Sequence, residues 1–175
     1  MKHTQPHIAK TIAFCGLLTA AGVVILLLGS FLGLGIYAAP MLVGLVLIPV
    51  GREYGNRYQV LTWLAISLLG FLLVPDIEET LIFACLLGWY PILRPRLAKL
   101  PFLPALLLKL LVFNAIIILL EMLLMFVILP DGEIYGKLLL LVLLILANFV
   151  FLVYDMLIPR LTLLYDVRLR RRLPF

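Results

Sequence analysis

The chain has 175 residues, of which 65% are hydrophobic and only 13% charged, with a formal net charge of +5. A soluble domain carries about 45–50% apolar and about 25% charged residues, and at this size no water-soluble fold hides so much apolar surface. The apolar stretches are continuous and do not alternate over segments of about ten residues, as a membrane β-barrel would require. The prediction is an all-α polytopic membrane bundle of six transmembrane helices, one domain over residues 1–175.

Segment 1 runs from about residue 8 to 32, enough to cross a hydrocarbon core of about 30 Å with some tilt. It exceeds a signal-peptide core, and no small-residue cleavage site precedes a soluble domain, so it is expected to be retained. Ala9, Ala13, Gly16 and Ala20 fall on one stripe of this helix. Small residues on a stripe let another helix approach closely. That helix belongs either to this bundle or to a partner protein.

Gly29, Ser30, Gly33 and Gly35 interrupt the run. Segment 2, about 36–50, carries Pro40 in its first turn, where proline is tolerated. It reaches only about 22 Å. A short span of this kind points either to a binding site or to a tilted or re-entrant packed helix. Residues 51–57 read as a polar loop, and segment 3 covers about 58–74. An acidic turn from Pro75 to Glu79 precedes segment 4, about 80–93, which ends near the interfacial pair Trp89 and Tyr90. Pro95, Pro101 and Pro104 prevent one straight continuation. Segment 5 covers about 105–129 and segment 6 about 137–158, joined by the turn Pro130-Asp131-Gly132-Glu133. A basic tail over 160–175 follows, with Arg160, Arg168, Arg170, Arg171 and Arg172.

The basic residues sort by side. The odd-numbered turns hold only Lys137, while the termini and even-numbered turns hold the other thirteen. The positive-inside rule then places both termini in the cytoplasm of a cell (inner or plasma) membrane protein. Charge at segment ends, without interleaved aromatic residues, is not a nucleic-acid signal.

Polar residues inside the apolar runs are the candidates for function, because they are costly in hydrocarbon without partners. Asn114 and Glu121 lie seven residues apart on segment 5, as do Asn148 and Asp155 on segment 6, so each pair shares a face. Counted from the cytoplasmic ends at about 1.5 Å per residue, Asn114 matches the depth of Asp155, and Glu121 that of Asn148. Lys109 falls near Asp155. Asn114, Asp155 and Lys109 therefore form a candidate intramembrane polar network that serves as interhelical glue. Glu121 has no basic residue at its depth, which makes it the candidate for contact with a ligand or a proton.

Catalytic and metal chemistry find no support. There is no Ser/His/Asp set, Cys/His pair, HExxH, paired-Asp motif or Walker-type glycine loop. Cys15 and Cys85 sit in apolar runs as small hydrophobes, and His3 and His7 occur alone on a polar tail without metal-ligand spacing. No cofactor, catalytic residue or metal ligand is expected, and a transporter using ATP would need a separate subunit.

Three stretches carry a resemblance: Ile12 to Ala21, Ile36-Tyr37-Ala38-Ala39-Pro40, and Gly88-Trp89-Tyr90-Pro91-Ile92-Leu93. Together with six short helices and a small-residue first helix, they resemble the substrate-binding (S) component of energy-coupling-factor transporters and small bacterial membrane proteins grouped with it. The resemblance implies uptake of a small solute, a vitamin or similar. It implies that Ala9, Ala13, Gly16 and Ala20 dock a transmembrane coupling subunit, which in turn binds two ATPases. Family ligands bind in the outer half near helices 4–6, where Glu121 and Asn148 are the nearest polar residues. The alternative is a non-transporting membrane scaffold acting through the small-residue stripe and the basic tail, which also suits anionic lipid.

Overall fold

A computed structural model describes residues 5–32, 36–99, 101–123 and 137–169. In chain order the α-helices are α1 (Gln5–Leu32), α2 (Ala38–Tyr54), α3 (Asn56–Leu73), α4 (Ile77–Ile82), α5 (Tyr90–Leu97), α6 (Phe102–Leu123) and α7 (Lys137–Leu164). α4 runs on as a π-helical turn, Phe83–Leu87, and α7 as another, Tyr165–Leu169. Among the described residues there is no strand. The regular structure of the described residues is all helix.

Among the described residues three helices are long and apolar enough to cross a membrane: Ile8–Leu32 in α1, Leu103–Leu120 in α6 and Leu144–Arg168 from α7 into its π-turn. Large apolar side chains point outward from them and their neighbours, among them Phe31, 75% exposed, Leu72, 80%, and Leu103, 69%. Such a surface is unfavourable in water and neutral in lipid tails, which are as apolar as leucine. α2 has 17 residues, about 26 Å of rise, less than the hydrocarbon core. Hydroxyls in these runs are satisfied locally. Thr19, Thr62, Ser67 and Thr162 each donate to the carbonyl four residues earlier, at 2.7–2.9 Å.

The expected segments shift in four places. Residues 51–57 are helical: α2 runs to Tyr54, α3 starts at Asn56, and Gly55 alone makes the turn. Its φ of 85° lies in the left-handed region, where a glycine meets no steric penalty. Segment 4 is not one helix but α4, a π-turn and α5. α6 starts at Phe102, ahead of Pro104. α7 continues through Pro159 to Leu164, although that proline removes the hydrogen bond to the Asp155 carbonyl. The polar turn 130–133 and residues 170–175 lie outside the described residues.

Two cores hold the helices. Val23 and Leu26 of α1, Val43 and Leu47 of α2 and Ile66 of α3 form one, closed by Phe83 of the π-turn. Ile48, Leu87, Tyr90, Phe113, Ile117, Ala147, Phe151 and Tyr154 form the other, joining α2, α5, α6 and α7. Gly44 of α2 fixes how closely α7 approaches. A Cβ there would collide with the Tyr154 hydroxyl, which donates to the Leu87 carbonyl at 2.8 Å. The close faces of α1 are at Gly22, against Ile66, and Gly29, against Ala39 and Glu79.

The stripe Ala9, Ala13, Gly16 and Ala20 is exposed. A Cβ at Gly16 would meet nothing within 4 Å. Of the two readings of the stripe, packing within this bundle is not what the described residues show.

Candidate functional site

The site begins with Asp155 on α7. It accepts from Tyr90 Oη at 2.6 Å, from Arg94 Nε at 2.8 Å and from Lys109 Nζ at 2.9 Å. Tyr90 and Arg94 are four residues apart on α5, so one helical turn presents both to the same carboxylate. Pro91 starts that short helix, Pro95 lies inside it, and Pro91 is buried. Aromatic packing holds the surroundings: Phe113 stacks on Phe151 with centroids 4.2 Å apart, and Tyr90 meets Phe151 edge-on at 5.0 Å. A partly buried carboxylate with two cations and a phenol repays its desolvation through these charge-assisted bonds.

One layer deeper, Asn114 and Asn148 form a reciprocal amide pair at 2.9 and 2.8 Å. Each Nδ2 also donates to the carbonyl four residues earlier, Leu110 or Leu144. This corrects the expected pairing of Asn114 with Asp155. The depth count ended segment 6 before Pro159, but α7 runs on, so its residues sit deeper than the count allowed. Asn148 is thereby occupied by Asn114 and Leu144. The side chain of Glu121 lies outside the described residues.

Toward the C-terminal end of α7 lies a cavity of about 450 Å³. α2 contributes Gly51 and Arg52, α3 Asn56 and Gln59, α5 Arg94 and Pro95, α7 Pro159 and Thr162, and the π-turn after it Asp166. Arg52 and Asp166 form an ion pair across it, with Arg52 Nε 3.1 Å from Asp166 Oδ1. Gln59 is only 4% exposed, and its amide has no hydrogen-bond partner among the described residues. A Cβ at Gly51 would collide with that amide, so glycine there leaves it room. Arg94 reaches Asp155 through Nε, and its two terminal nitrogens make no hydrogen bond to a described residue. Two cations, Arg52 and Arg94, and one carboxylate, Asp166, line the cavity, and Lys109 and Asp155 pair next to it. Glu53 faces Tyr165 Oη at 3.2 Å and is not in the cavity wall.

The arrangement suits a small anion. A planar guanidinium with free terminal nitrogens matches carboxylate or phosphate oxygens, an amide adds a donor, and the volume falls within the usual range for ligand sites. A smaller cleft of about 100 Å³ between α5 and α6 is lined by apolar side chains with Lys109 at its edge. The Lys109 ammonium is committed to Asp155, so that cleft offers packing but little recognition. Among the described residues no group of His, Cys, Asp and Glu could hold a metal ion.

Arg94, Tyr90, Gln59 and the Arg52–Asp166 pair are not among the polar candidates picked from the sequence. Tyr90 and Arg94 carried a readable sign, their spacing of four within a proline-framed stretch. Gln59 carried none, since its neighbours are set by the one-residue turn at Gly55. Compared with known proteins, the chain matches no family model, no curated protein and no solved structure.

Proposed function

We propose that this chain is an integral cell-membrane protein that crosses the bilayer six times, keeps both termini in the cytoplasm, and binds a small anionic solute in the cavity between α2, α3, α5 and α7. The uncommitted guanidinium of Arg94, lining the same cavity as the buried residue Gln59, carries this reading. The positive-inside asymmetry supports the topology and puts the cavity on the cytoplasmic side. A carboxylate- or phosphate-bearing solute of vitamin size is the fitting class. The Asp155 cluster holds Arg94 in place, and Arg52 and Asp166 close the far wall.

A thermal-shift screen of the detergent-solubilised protein against small carboxylates and phosphate esters tests it. A ligand present at about a hundred times its Kd stabilises by about 2.7 kcal/mol. Stabilisation by an anion in the wild type, lost in Arg94→Gln, supports the reading. Equal shifts in both proteins, or none from any anion, contradict it.

A second reading is favoured by the exposed stripe on α1. There the protein is a solute-binding subunit, and Ala9, Ala13, Gly16 and Ala20 receive a transmembrane coupling subunit that recruits ATPases. The same stripe serves equally in a non-transporting scaffold. Co-purification separates the two: ATPases recovered with the coupling partner belong to uptake, and other membrane proteins to assembly.

A further inference from the structure

At the end of the bundle opposite the cavity, one buried acidic side chain has an oxygen without a hydrogen-bond partner among the described residues. Glu79 follows the N-cap of α4, where Asp76 accepts from the amides of Glu78 and Glu79 at 3.0 and 3.3 Å. Ala39 and Arg52 bracket the two sites along α2, about 20 Å of helix. Glu79 is 2% exposed, and its Oε1 is buried without a hydrogen bond. The carboxyl rests against Gly29 of α1, where a Cβ would collide with both Oε1 and Ala39 of α2. Side chains larger than hydrogen or methyl at these positions would fill the niche it occupies.

Among the described residues no cation pairs with that carboxyl. Residues 11–51 and 58–93 contain no Lys, Arg or His. The titratable groups on the elements packed there are Asp76 and Glu78 of the same turn, Tyr37 ahead of α2 and Cys85 in the π-turn; residues 33–35 are Gly, Leu and Gly. An ionised carboxylate in that niche would be desolvated and unpaired, which is far costlier than burying the neutral acid.

We propose that Glu79 is a proton-binding site: its carboxyl is protonated while packed between Gly29 of α1 and Ala39 of α2, and loss of that proton releases α4 from the seam. Burial, with the nearby Asp76 carboxylate adding to it, pushes the Glu79 carboxyl up to about 7, so release falls near neutral pH. In the six-crossing topology this end faces outside, and the site reads external acidity. It stands on observations separate from those of the anion cavity.

Infrared spectra of the full-length protein in micelles, with ¹³C-labelled glutamate, test the assignment from about pH 5 to about pH 9. A protonated glutamate band is expected at about pH 6, well above the usual carboxylate range; it titrates near neutrality and is absent from Glu79→Gln. If that variant fails to fold, Glu79→Asp serves, because the labelled band is then lost while an acid remains. Hydrogen exchange of the Ile77–Ile82 amides, corrected for its intrinsic pH dependence, should accelerate about tenfold or more from pH 6 to pH 8 in the wild type and not in Glu79→Gln. A wild-type spectrum without a protonated band that Glu79 accounts for, or α4 exchange with the same pH profile in both proteins, overturns the proposal.

Discussion

Arg94 Nε lies 2.8 Å from Asp155 Oδ1, and the same guanidinium borders the cavity at the C-terminal end of α7. One side chain thus belongs both to the clamp that joins α5, α6 and α7 and to the wall a solute would touch. Anything that disturbs Asp155 should therefore be felt at the cavity. Asp155→Ala leaves the Lys109 and Arg94 cations without their carboxylate, and breaking a buried pair from one side costs about 3–5 kcal/mol. Partial exposure of Asp155 places the effect at the lower end. Lys109→Met combined with Asp155→Leu should be markedly milder than Asp155→Ala, as read by unfolding of the solubilised protein in denaturing detergent.

Gly44 and Tyr154 set the distance between α2 and α7. Gly44→Ala puts a methyl where the Tyr154 hydroxyl lies, an overpacking that costs about 1–3 kcal/mol. Tyr154→Phe leaves the Leu87 carbonyl without its donor, at about 1 kcal/mol. Because the two changes share one contact, the double variant should be more stable than the sum of the singles implies. A double-mutant cycle on thermal unfolding measures that difference, and strict additivity would mean that the helices do not approach as described.

Gly16→Leu should not change the stability of the isolated chain by more than about 0.5 kcal/mol, as expected for an open surface position. If the stripe receives a partner helix, the same substitution abolishes co-purification of that partner. Gly29→Leu should instead unfold or open the bundle, because the niche there is already filled by Glu79 and Ala39. Thermal unfolding of the two variants separates an outward face from an inward one on the same helix.

Glu79 gives stability a pH dependence of definite sign. It lies in the first turn of α4, beside the N-cap Asp76, with its carboxyl raised from 4.5 to about 7. Below about 4.5 both folded and unfolded chains hold the proton, and burial of the acid carries no charge penalty. Between about 4.5 and about 7 the unfolded chain ionises while the folded one does not, so stability falls as pH rises. The total is about 3 kcal/mol, reached above pH 7. Glu79→Gln should flatten this slope and match or exceed the wild type at neutral pH, as read from unfolding midpoints across the range.

The sequence made the solvent legible, because continuous apolar runs with charges at their ends leave few alternatives. It also put Lys109 and Asp155 at similar depth. The register of the amides was not legible, since it depends on whether α7 stops at Pro159, and a proline can end a helix or be carried through it. The polar cavity was hidden for a related reason. Part of its wall comes from residues 51–57, which read as a loop but form two helix ends joined at Gly55. Glu79 read only as the end of an acidic turn, because nothing local says that Gly29 and Ala39 would lie against it. The small-residue stripe was visible, but the glycines that pack α1, Gly22 and Gly29, lie further along the same helix.

The most direct test of the account is the side from which the cavity is reached. Thr162 lines it, and a single cysteine there, Thr162→Cys in a Cys15→Ser, Cys85→Ser background, can be labelled with a membrane-impermeant maleimide. Rapid labelling in inside-out vesicles and none in right-side-out vesicles is the predicted result. Labelling from the outer face, or from neither, would contradict a cytoplasm-facing cavity.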